Sequence, residues 1–350
     1  MSWLIFLIIL LISILTSFAT TFFLTPFFIK FLYLAGIVGL DLQKKDKPKL
    51  ATSGGICVAF GILAGLLSYI GLHTFVSGSE IEVDVIPLLA VTSSILIVMF
   101  VGLLDDLNVK SKAVKTKEGY DIRVGFPQWI KPLLTLPAAI PLMVISAGET
   151  SMVIPFIGRV HFGIFYPLLL IPIGIAGASN AVNLLAGFNG LESGMGIVFF
   201  FGLGLYGLLH GRAGPDILNG AVIFLAAFAA LVGFVRFNWY PAKILPGDSL
   251  TYLLGSTVAA GVIVGNMERS GILVMLPFVT EFLLKSRARF KATSLGKLRE
   301  DGKLNPPYGR KIFSWTHVLM NLRPMTEKQV TVTLIFMQLG FTVIPFLTIL

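Results

Sequence analysis

Long runs of apolar residues dominate the pattern along the chain. A helix needs roughly 20 mostly apolar residues to cross a bilayer. Ten windows come close to that length: residues 2–26, 54–76, 86–104, 129–147, 162–179, 190–209, 217–235, 249–265, 271–285 and 330–350. The pattern therefore predicts an all-α, polytopic membrane protein with about ten transmembrane helices.

The polar segments between these windows are short. We therefore expect residues 1–350 to form a single integral-membrane domain. The longest polar segment is a basic loop over residues 285–329, and the segment SMVIPFIGRVH over residues 151–161 predicts a small hairpin. The first window exceeds the 7–15 apolar residues of a usual signal peptide, which favours a first spanning helix.

Composition and charge agree with a membrane location. Apolar residues make up 55% of the chain and charged residues only 13%, whereas soluble domains are about a quarter charged. If the N-terminus lies outside, the inner loops hold 24 of the 27 Lys and Arg residues. The outer loops hold only Arg159, Arg212 and Arg269. The net charge of +9 is thus a signal of topology, and we do not expect nucleic acid as a partner.

Cysteine and histidine offer no metal site. The single cysteine, Cys57, lies inside an apolar window, so a disulfide framework and a cysteine-based metal site are both excluded. The four histidines are scattered without the spacing of metal ligands. Any metal chemistry must therefore use oxygen ligands.

Three acidic residues stand at the ends of predicted helices. Asp105 and Asp106 close the third window in the segment VGLLDDLN, and Asp248 precedes the eighth window in NWYPAKILPGDSL. Carboxylates are preferred Mg²⁺ ligands, and an ionised carboxylate can accept a proton. The alternative is structural: acids at a helix exit are often solvated, and Asp is a common N-cap residue.

Amide side chains gather at a break between the fifth and sixth windows. In NAVNLLAGFNGLESG, Asn180 and Asn183 are three residues apart and share a helix face. Gly187, Asn189 and Gly190 then interrupt the helix. Amide oxygens can bind a cation and glycines let a ligand approach the backbone, although membrane bundles also use buried amides to join helices.

The basic loop begins with KSRARFK. Arg287 and Arg289 alternate, so in an extended segment both side chains would point the same way. Arginine suits bidentate recognition of phosphate, but a basic loop can equally serve topology and attraction to anionic lipid. Together with the acids and amides, this loop would place the parts for Mg²⁺-assisted chemistry on a phosphate ester at one membrane face.

These landmarks resemble a known family over essentially the whole chain. In order they are Gly54 and Gly55, the DD of VGLLDDLN, NAVNLLAGFNGLESG and NWYPAKILPGDSLTYLLG. The chain resembles the polyprenyl-phosphate N-acetylhexosamine-1-phosphate transferases of glycosyltransferase family 4. These are ten-helix enzymes that move a sugar 1-phosphate from a UDP-sugar to a lipid phosphate.

The motif also indicates a branch of that family. Bacterial cell-wall enzymes typically carry NxxNxxDGxDG, whereas this chain has Ala186 and Asn189 in place of the two acids. It also lacks the bacterial His-rich motif of the last inner loop. The sequence is similar to the eukaryotic and archaeal branch, which makes N-acetylglucosamine-diphosphodolichol in the first step of lipid-linked oligosaccharide assembly for N-glycosylation.

The resemblance implies roles for the acids and the two helical amides. Asp105 and Asp106 would be the catalytic acids, one of which deprotonates or orients the lipid phosphate. Asn183 and Asp248 would hold Mg²⁺, or Mn²⁺ in its place, between the phosphates of the UDP-sugar. Asn180 would support this cluster.

The resemblance also implies residues that bind the substrates. Gly187 and Asn189 would line the uracil site, and Lys131, at the start of the fourth window, would bind phosphate. Arg287 and Arg289 would contact the diphosphate and the sugar.

The expected partners are UDP-N-acetylglucosamine and a polyprenyl phosphate of the dolichyl type, and the family leaves room for a homodimer. The catalytic loops would face the cytoplasm, from the cell membrane of a prokaryote or the endoplasmic reticulum membrane of a eukaryote. Two alternatives stay open: a bacterial-type transferase of another UDP-N-acetylsugar to undecaprenyl phosphate, and a lipid-linked transporter or flippase. A transporter would place its polar residues near the membrane midplane.

Overall fold

Helices form most of the structure, a computed structural model that describes residues 3–76, 84–107, 114–115, 121–122, 126–154, 158–211 and 214–347. The α-helices are α1 Trp3–Leu34, α2 Gly55–Val76, α3 Val85–Leu107, α4 Lys131–Thr135, α5 Ile140–Val144, α6 Ile171–Leu184, α7 Leu191–Leu209, α8 Pro215–Asn238, α9 Gly247–Val264, α10 Glu268–Ser286, α11 Trp315–Leu322 and α12 Glu327–Leu347. Several residues of the charge argument lie outside the described ranges: Lys110, Lys112, Lys117, Arg123 and Arg212.

Eight helical segments among the described residues are long and apolar enough to cross a membrane. The prediction of an all-α polytopic membrane protein is confirmed, but two of the ten windows differ from the rest. The fourth window becomes α4, a 3₁₀ turn over Leu136–Ala139, and α5. Pro132, Pro137 and Pro141 break it up, because proline lacks the backbone N–H that a continuous helix needs. The ninth window becomes α10, which carries charged residues at both ends.

Helices α8 and α9 form the centre of the bundle. In each of them 83% of the spanning residues are buried, whereas only 33% are buried in α1 and α12. Helix α8 packs against α1, α2 and α7, and α9 packs against α3 and α6. The outer helices therefore keep broad apolar faces for lipid.

Small residues allow α1 to approach its neighbours closely. Ser13 and Ser17 are buried, and their hydroxyls donate to the carbonyls of Gly65 on α2, at 2.8 Å, and Ala226 on α8, at 2.6 Å. Such small-residue contacts replace the hydrophobic driving force that is missing between helices in lipid.

Short antiparallel strands lie in the segments that connect the helices. They are β1 Val38–Leu40 with β2 Lys49–Ala51, β3 Val114–Lys115 with β4 Asp121–Ile122, β5 Ser151–Ile154 with β6 Gly158–His161, and the sheet of β7 Lys297–Leu298, β8 Lys303–Asn305 and β9 Met325–Thr326. The β5–β6 pair confirms the predicted hairpin. The basic loop over 285–329 is an ordered unit that contains this three-stranded sheet and α11.

Glycines let the backbone of α9 touch three other helices. A Cβ atom on Gly55 of α2 would lie 2.2 Å from the backbone nitrogen of Leu250, and one on Gly102 of α3 would lie 2.5 Å from the Cα of Ser249. Near the middle of α9, a Cβ on Gly255 would lie 2.2 Å from the carbonyl oxygen of Ala178 on α6. The position of α9 is therefore fixed by backbone contact.

We predict that Gly255→Ala destabilises the protein by about 1–3 kcal/mol, because the new methyl group collides with the backbone of α6. The matched control is Gly177→Ala on α6, where a Cβ would meet no atom within 4 Å. There alanine should be neutral or slightly stabilising, since it favours the helix. Thermal denaturation in detergent measures both. Equal melting temperatures for the two variants would contradict the close α6–α9 contact.

Candidate active site

The ends of α3, α4 and α9 meet at one end of the bundle, which we call the site end. The ammonium group of Lys131, the first residue of α4, lies 2.8 Å from an oxygen of Asp105 and 2.7 Å from an oxygen of Asp248. The Asp105 side chain is 1% exposed, whereas that of Asp248 is 28% exposed. Of these two acids, Asp248 is therefore the one that a ligand can reach.

Asp105 accepts hydrogen bonds from two further donors besides Lys131. The backbone N–H of Phe126 donates to one of its oxygens at 2.8 Å, and the hydroxyl of Tyr252 donates to the other at 2.7 Å. Sequence reasoning missed Tyr252. Its spacing from Asp248, four residues along the same helix, was the signal that could have found it.

Asp106 caps helix α9. Its two oxygens accept the backbone N–H groups of Asp248, at 2.7 Å, and Ser249, at 3.2 Å. The approach requires Gly247, whose φ is +71° and whose Cβ, if present, would lie 2.4 Å from an Asp106 oxygen. Asp248 was the acid expected to cap this helix under the structural alternative, but that task belongs to Asp106, on another helix.

The acid cluster of Asp105, Asp106 and Asp248 carries more negative charge than its protein partners balance. Among the described residues, Lys131 is the one cation paired with this cluster: it bonds Asp105 and Asp248, while Asp106 accepts backbone N–H groups. An excess of two negative charges therefore remains when all three acids are ionised. The positive end of the α9 dipole offsets part of this excess. An added cation or a cationic ligand group would therefore be stabilised here.

The donor set suits a cation that is shared with a ligand. No three Asp, Glu, His or Cys side chains of the described ranges are arranged as a complete metal cage. Mg²⁺, however, is usually held by one or two carboxylates together with substrate phosphates. Lys131 bonds one oxygen of the partly exposed Asp248, and Asn183 adds an amide oxygen beside the first turn of α9. These all-oxygen donors fit Mg²⁺.

The amides of Asn180 and Asn183, on one face of α6, both lie at the site end. The Asn183 oxygen accepts from the hydroxyl of Thr251 at 3.0 Å, and the same hydroxyl lies 3.1 Å from the carbonyl oxygen of Asp248. The Asn180 amide donates to the hydroxyl of Thr135 at 3.2 Å. Asn180 therefore braces α4, one turn beyond Lys131.

The segment over residues 187–190, which we call the glycine break, is hydrogen-bonded to two buried carboxylates. Gly187 has a φ of +116°, and its N–H donates to Glu192 at 2.8 Å, while the N–H of Asn189 donates to Glu327 at 2.8 Å. Sequence reasoning missed both acids. Glu192 lies within the motif itself and could have been found, whereas Glu327 is 138 residues from Asn189 and gives no local signal.

Arg287 and Arg289 lie in an exposed turn directly after α10. Arg289 has a φ of +50°, so the segment is not the extended one in which the two side chains would point the same way. In the described part of the chain, no hydrogen bond or ion pair joins either guanidinium group to the acid cluster. Their contact with substrate stays a prediction.

A buried polar cluster nevertheless anchors the basic loop beside the site end. Lys285 donates to Ser294 at 2.8 Å, and Ser294 in turn donates to the carbonyl of Leu184, the last residue of α6. Nearby, a nitrogen of His317 lies 2.9 Å from the carbonyl oxygen of Thr293. Burial lowers the pKa of His317 to about 4, so this histidine is neutral at pH 7.

We predict that Asp106→Asn destabilises the protein by about 1–2 kcal/mol and lowers activity, because one of its two cap contacts becomes a clash between N–H groups. Asp301→Asn, in the exposed basic loop, is the control and should melt like the wild type. Thermal denaturation in detergent provides the measurement. An unchanged melting temperature for Asp106→Asn would show that the α9 cap is dispensable.

Comparison with known proteins gives a consistent assignment. Residues 88–266 match the family described as Glycosyl transferase family 4. A protein of Saccharolobus solfataricus is 38% identical over 88% of this chain and 86% of its own, and one of Sulfolobus acidocaldarius is 33% identical over 88% and 87%. Both carry the provisional name UDP-N-acetylglucosamine–dolichyl-phosphate N-acetylglucosaminephosphotransferase. A Dictyostelium discoideum protein with the same name is 26% identical over 87% and 79%. The chain therefore belongs to glycosyl transferase family 4.

Proposed function

We propose that the protein transfers N-acetylglucosamine 1-phosphate from UDP-N-acetylglucosamine to a polyprenyl phosphate of the dolichyl type. The products are an N-acetylglucosamine-diphospho-lipid and UMP. The observation that carries the proposal is the acid cluster, in which a partly exposed Asp248 lies beside Lys131 within an excess of negative charge. The names of the relatives and the replacement of two motif acids by Ala186 and Asn189 support the choice of substrates.

The reaction joins two anions. An oxygen of the lipid phosphate forms a bond to the β-phosphorus of the UDP-sugar, and the bond from that phosphorus to the bridging oxygen breaks. UMP leaves with the bonding electron pair. Because the two anions repel each other, the site must hold them in line and offset their charge.

The chain's own residues can do much of this work. Asp248 and Asn183 would hold Mg²⁺, which when bound neutralises charge on the diphosphate. Lys131 supplies a fixed positive charge whose position is set by Asp105 and Asp248. Asp105 and Asp106 each have protein donors on both carboxylate oxygens, whereas Lys131 occupies one oxygen of Asp248, so Asp248 is our choice for the contact with ligand. The catalytic roles of Asp105 and Asp106 stay predictions.

We further propose that the site end faces the cytoplasm, because the loops at that end carry most of the basic residues. A lipid-linked transporter is less well supported, since the polar residues cluster at helix ends and not near the midplane. Phospho-N-acetylmuramoyl-pentapeptide-transferases of Streptococcus thermophilus are also similar, but at 29% identity or less. The bacterial-type alternative is therefore not favoured.

The test uses UDP-N-acetylglucosamine labelled with ³²P at the β-phosphorus. Purified protein in detergent is incubated with the labelled donor, dolichyl phosphate and Mg²⁺. We expect the label in the lipid extract together with unlabelled UMP, because the β-phosphorus travels with the sugar. Label that remains in UDP would mean that only the sugar moved, and no turnover at all would contradict the proposal.

We predict that Asp248→Asn lowers turnover by at least about a hundredfold while the protein keeps its melting temperature, because asparagine cannot replace the charged contact with Lys131 and the cation. Asp216→Asn is the matched control: Asp216 is also the second residue of a helix, but it is exposed at the other end of the bundle. The labelled-donor assay compares the two variants. Near-normal turnover by Asp248→Asn would remove Asp248 from the chemistry.

We also predict that turnover requires a divalent cation. Excess chelator should abolish the transfer, and Mg²⁺ or Mn²⁺ should restore it, because every candidate ligand of the cluster is an oxygen atom. Full activity in chelator would rule out the proposed metal role.

A further inference from the structure

A second buried charge network lies under the glycine break, apart from the acid cluster. Lys44, in the turn between β1 and β2, forms an ion pair with Glu327 at the start of α12 and lies 3.1 Å from Asp41. The Lys44 side chain is 13% exposed, and those of Asp41 and Glu327 are each 4% exposed. Three charged side chains, two from this turn and one from the start of α12, are thus desolvated together, which is costly unless they are closely paired.

This network holds the side chain and the backbone of Asn189. The Lys44 ammonium donates to the side-chain oxygen of Asn189 at 3.1 Å, and the backbone N–H of Ala242 donates to the same oxygen at 3.0 Å. Glu327 accepts the backbone N–H of Asn189 at 2.8 Å. Lys44 and Glu327 therefore fix Asn189 from two directions.

These contacts allow only one orientation of the Asn189 amide. An ammonium group and a backbone N–H are donors and cannot accept, so the amide oxygen must face them. A flipped amide would bring its NH₂ group against two donors. The amide nitrogen donates to no atom of the residues that the structure describes. Asn189 can therefore offer an N–H donor, and not an acceptor, to a ligand.

We propose that Lys44 is a positioning residue for nucleotide specificity. With Glu327 it orients Asn189 so that the amide N–H donates to the C4 carbonyl oxygen of the donor's pyrimidine base. Uracil carries a carbonyl where cytosine carries an amino group, so this orientation favours uridine over cytidine nucleotides. The inference rests on the proposed function, which supplies the UDP-sugar, and extends it to how the base is selected.

The experiment measures the affinities of radiolabelled UMP and CMP for the purified protein by equilibrium dialysis. The first variant is Lys44→Met, which lets the amide rotate. The second combines Lys44→Met with Glu327→Gln, so that Glu327 is not left as an unpaired buried carboxylate. Lys45→Met is the matched control, because Lys45 is exposed in the same turn. The melting temperature of each variant is also measured in detergent.

We expect both Lys44 variants to lose about tenfold in UMP affinity and little in CMP affinity, so that the preference for UMP falls about tenfold. The double variant should recover melting temperature over Lys44→Met but not the preference. Lys45→Met should match the wild type. A role confined to stability would instead restore the preference together with the melting temperature.

Three outcomes overturn the inference. A wild-type preference in both folded Lys44 variants refutes it and leaves the proposed function intact. Loss of folding in both variants means that the Lys44–Glu327 ion pair stabilises the fold, and it refutes a role of Lys44 in base selection alone. A wild-type protein that does not prefer UMP contradicts the proposed function, and the inference is lost with it.

Discussion

The sharing of one ammonium group between two carboxylates sets the geometry of the site. Lys131 can contact Asp105 and Asp248 together only if the ends of α3, α4 and α9 lie within a few ångströms of one another. Asp106 adds the second constraint, because its carboxylate caps α9 from the end of α3. Glycine contacts then lock α9 against its neighbours at backbone distance. The rest of the bundle brings these three ends together.

The site has two parts, and the contacts of each reach across the chain. The acid cluster suits a cation and a diphosphate, whereas the glycine break offers backbone and amide groups for a base. Asn183 and Asn189 lie on either side of the end of α6, so one short segment connects the two parts. In our proposal a nucleotide-sugar spans both, with its phosphates beside Asp248 and its base beside Asn189.

Much of this arrangement could be predicted from sequence, because apolar length and helix spacing are local properties. The windows of the spanning helices and the shared face of Asn180 and Asn183 needed only neighbouring residues. Roles that depend on tertiary contact could not be predicted. Asp106 and Asp248 look alike in sequence, and only the approach of α3 to α9 makes Asp106 the cap. Glu327 supports Asn189 across 138 residues, with no signal in either segment.

The central claim is that the acid cluster holds a divalent cation together with the donor's diphosphate. Electron paramagnetic resonance of bound Mn²⁺ tests it most directly, with UDP-N-acetylglucosamine that carries ¹⁷O on its β-phosphate and no lipid acceptor. The account predicts that ¹⁷O broadens the Mn²⁺ lines of the wild type, and that Asp248→Asn loses the bound-Mn²⁺ signal. Mn²⁺ lines without broadening, or an unchanged signal in Asp248→Asn, would contradict it.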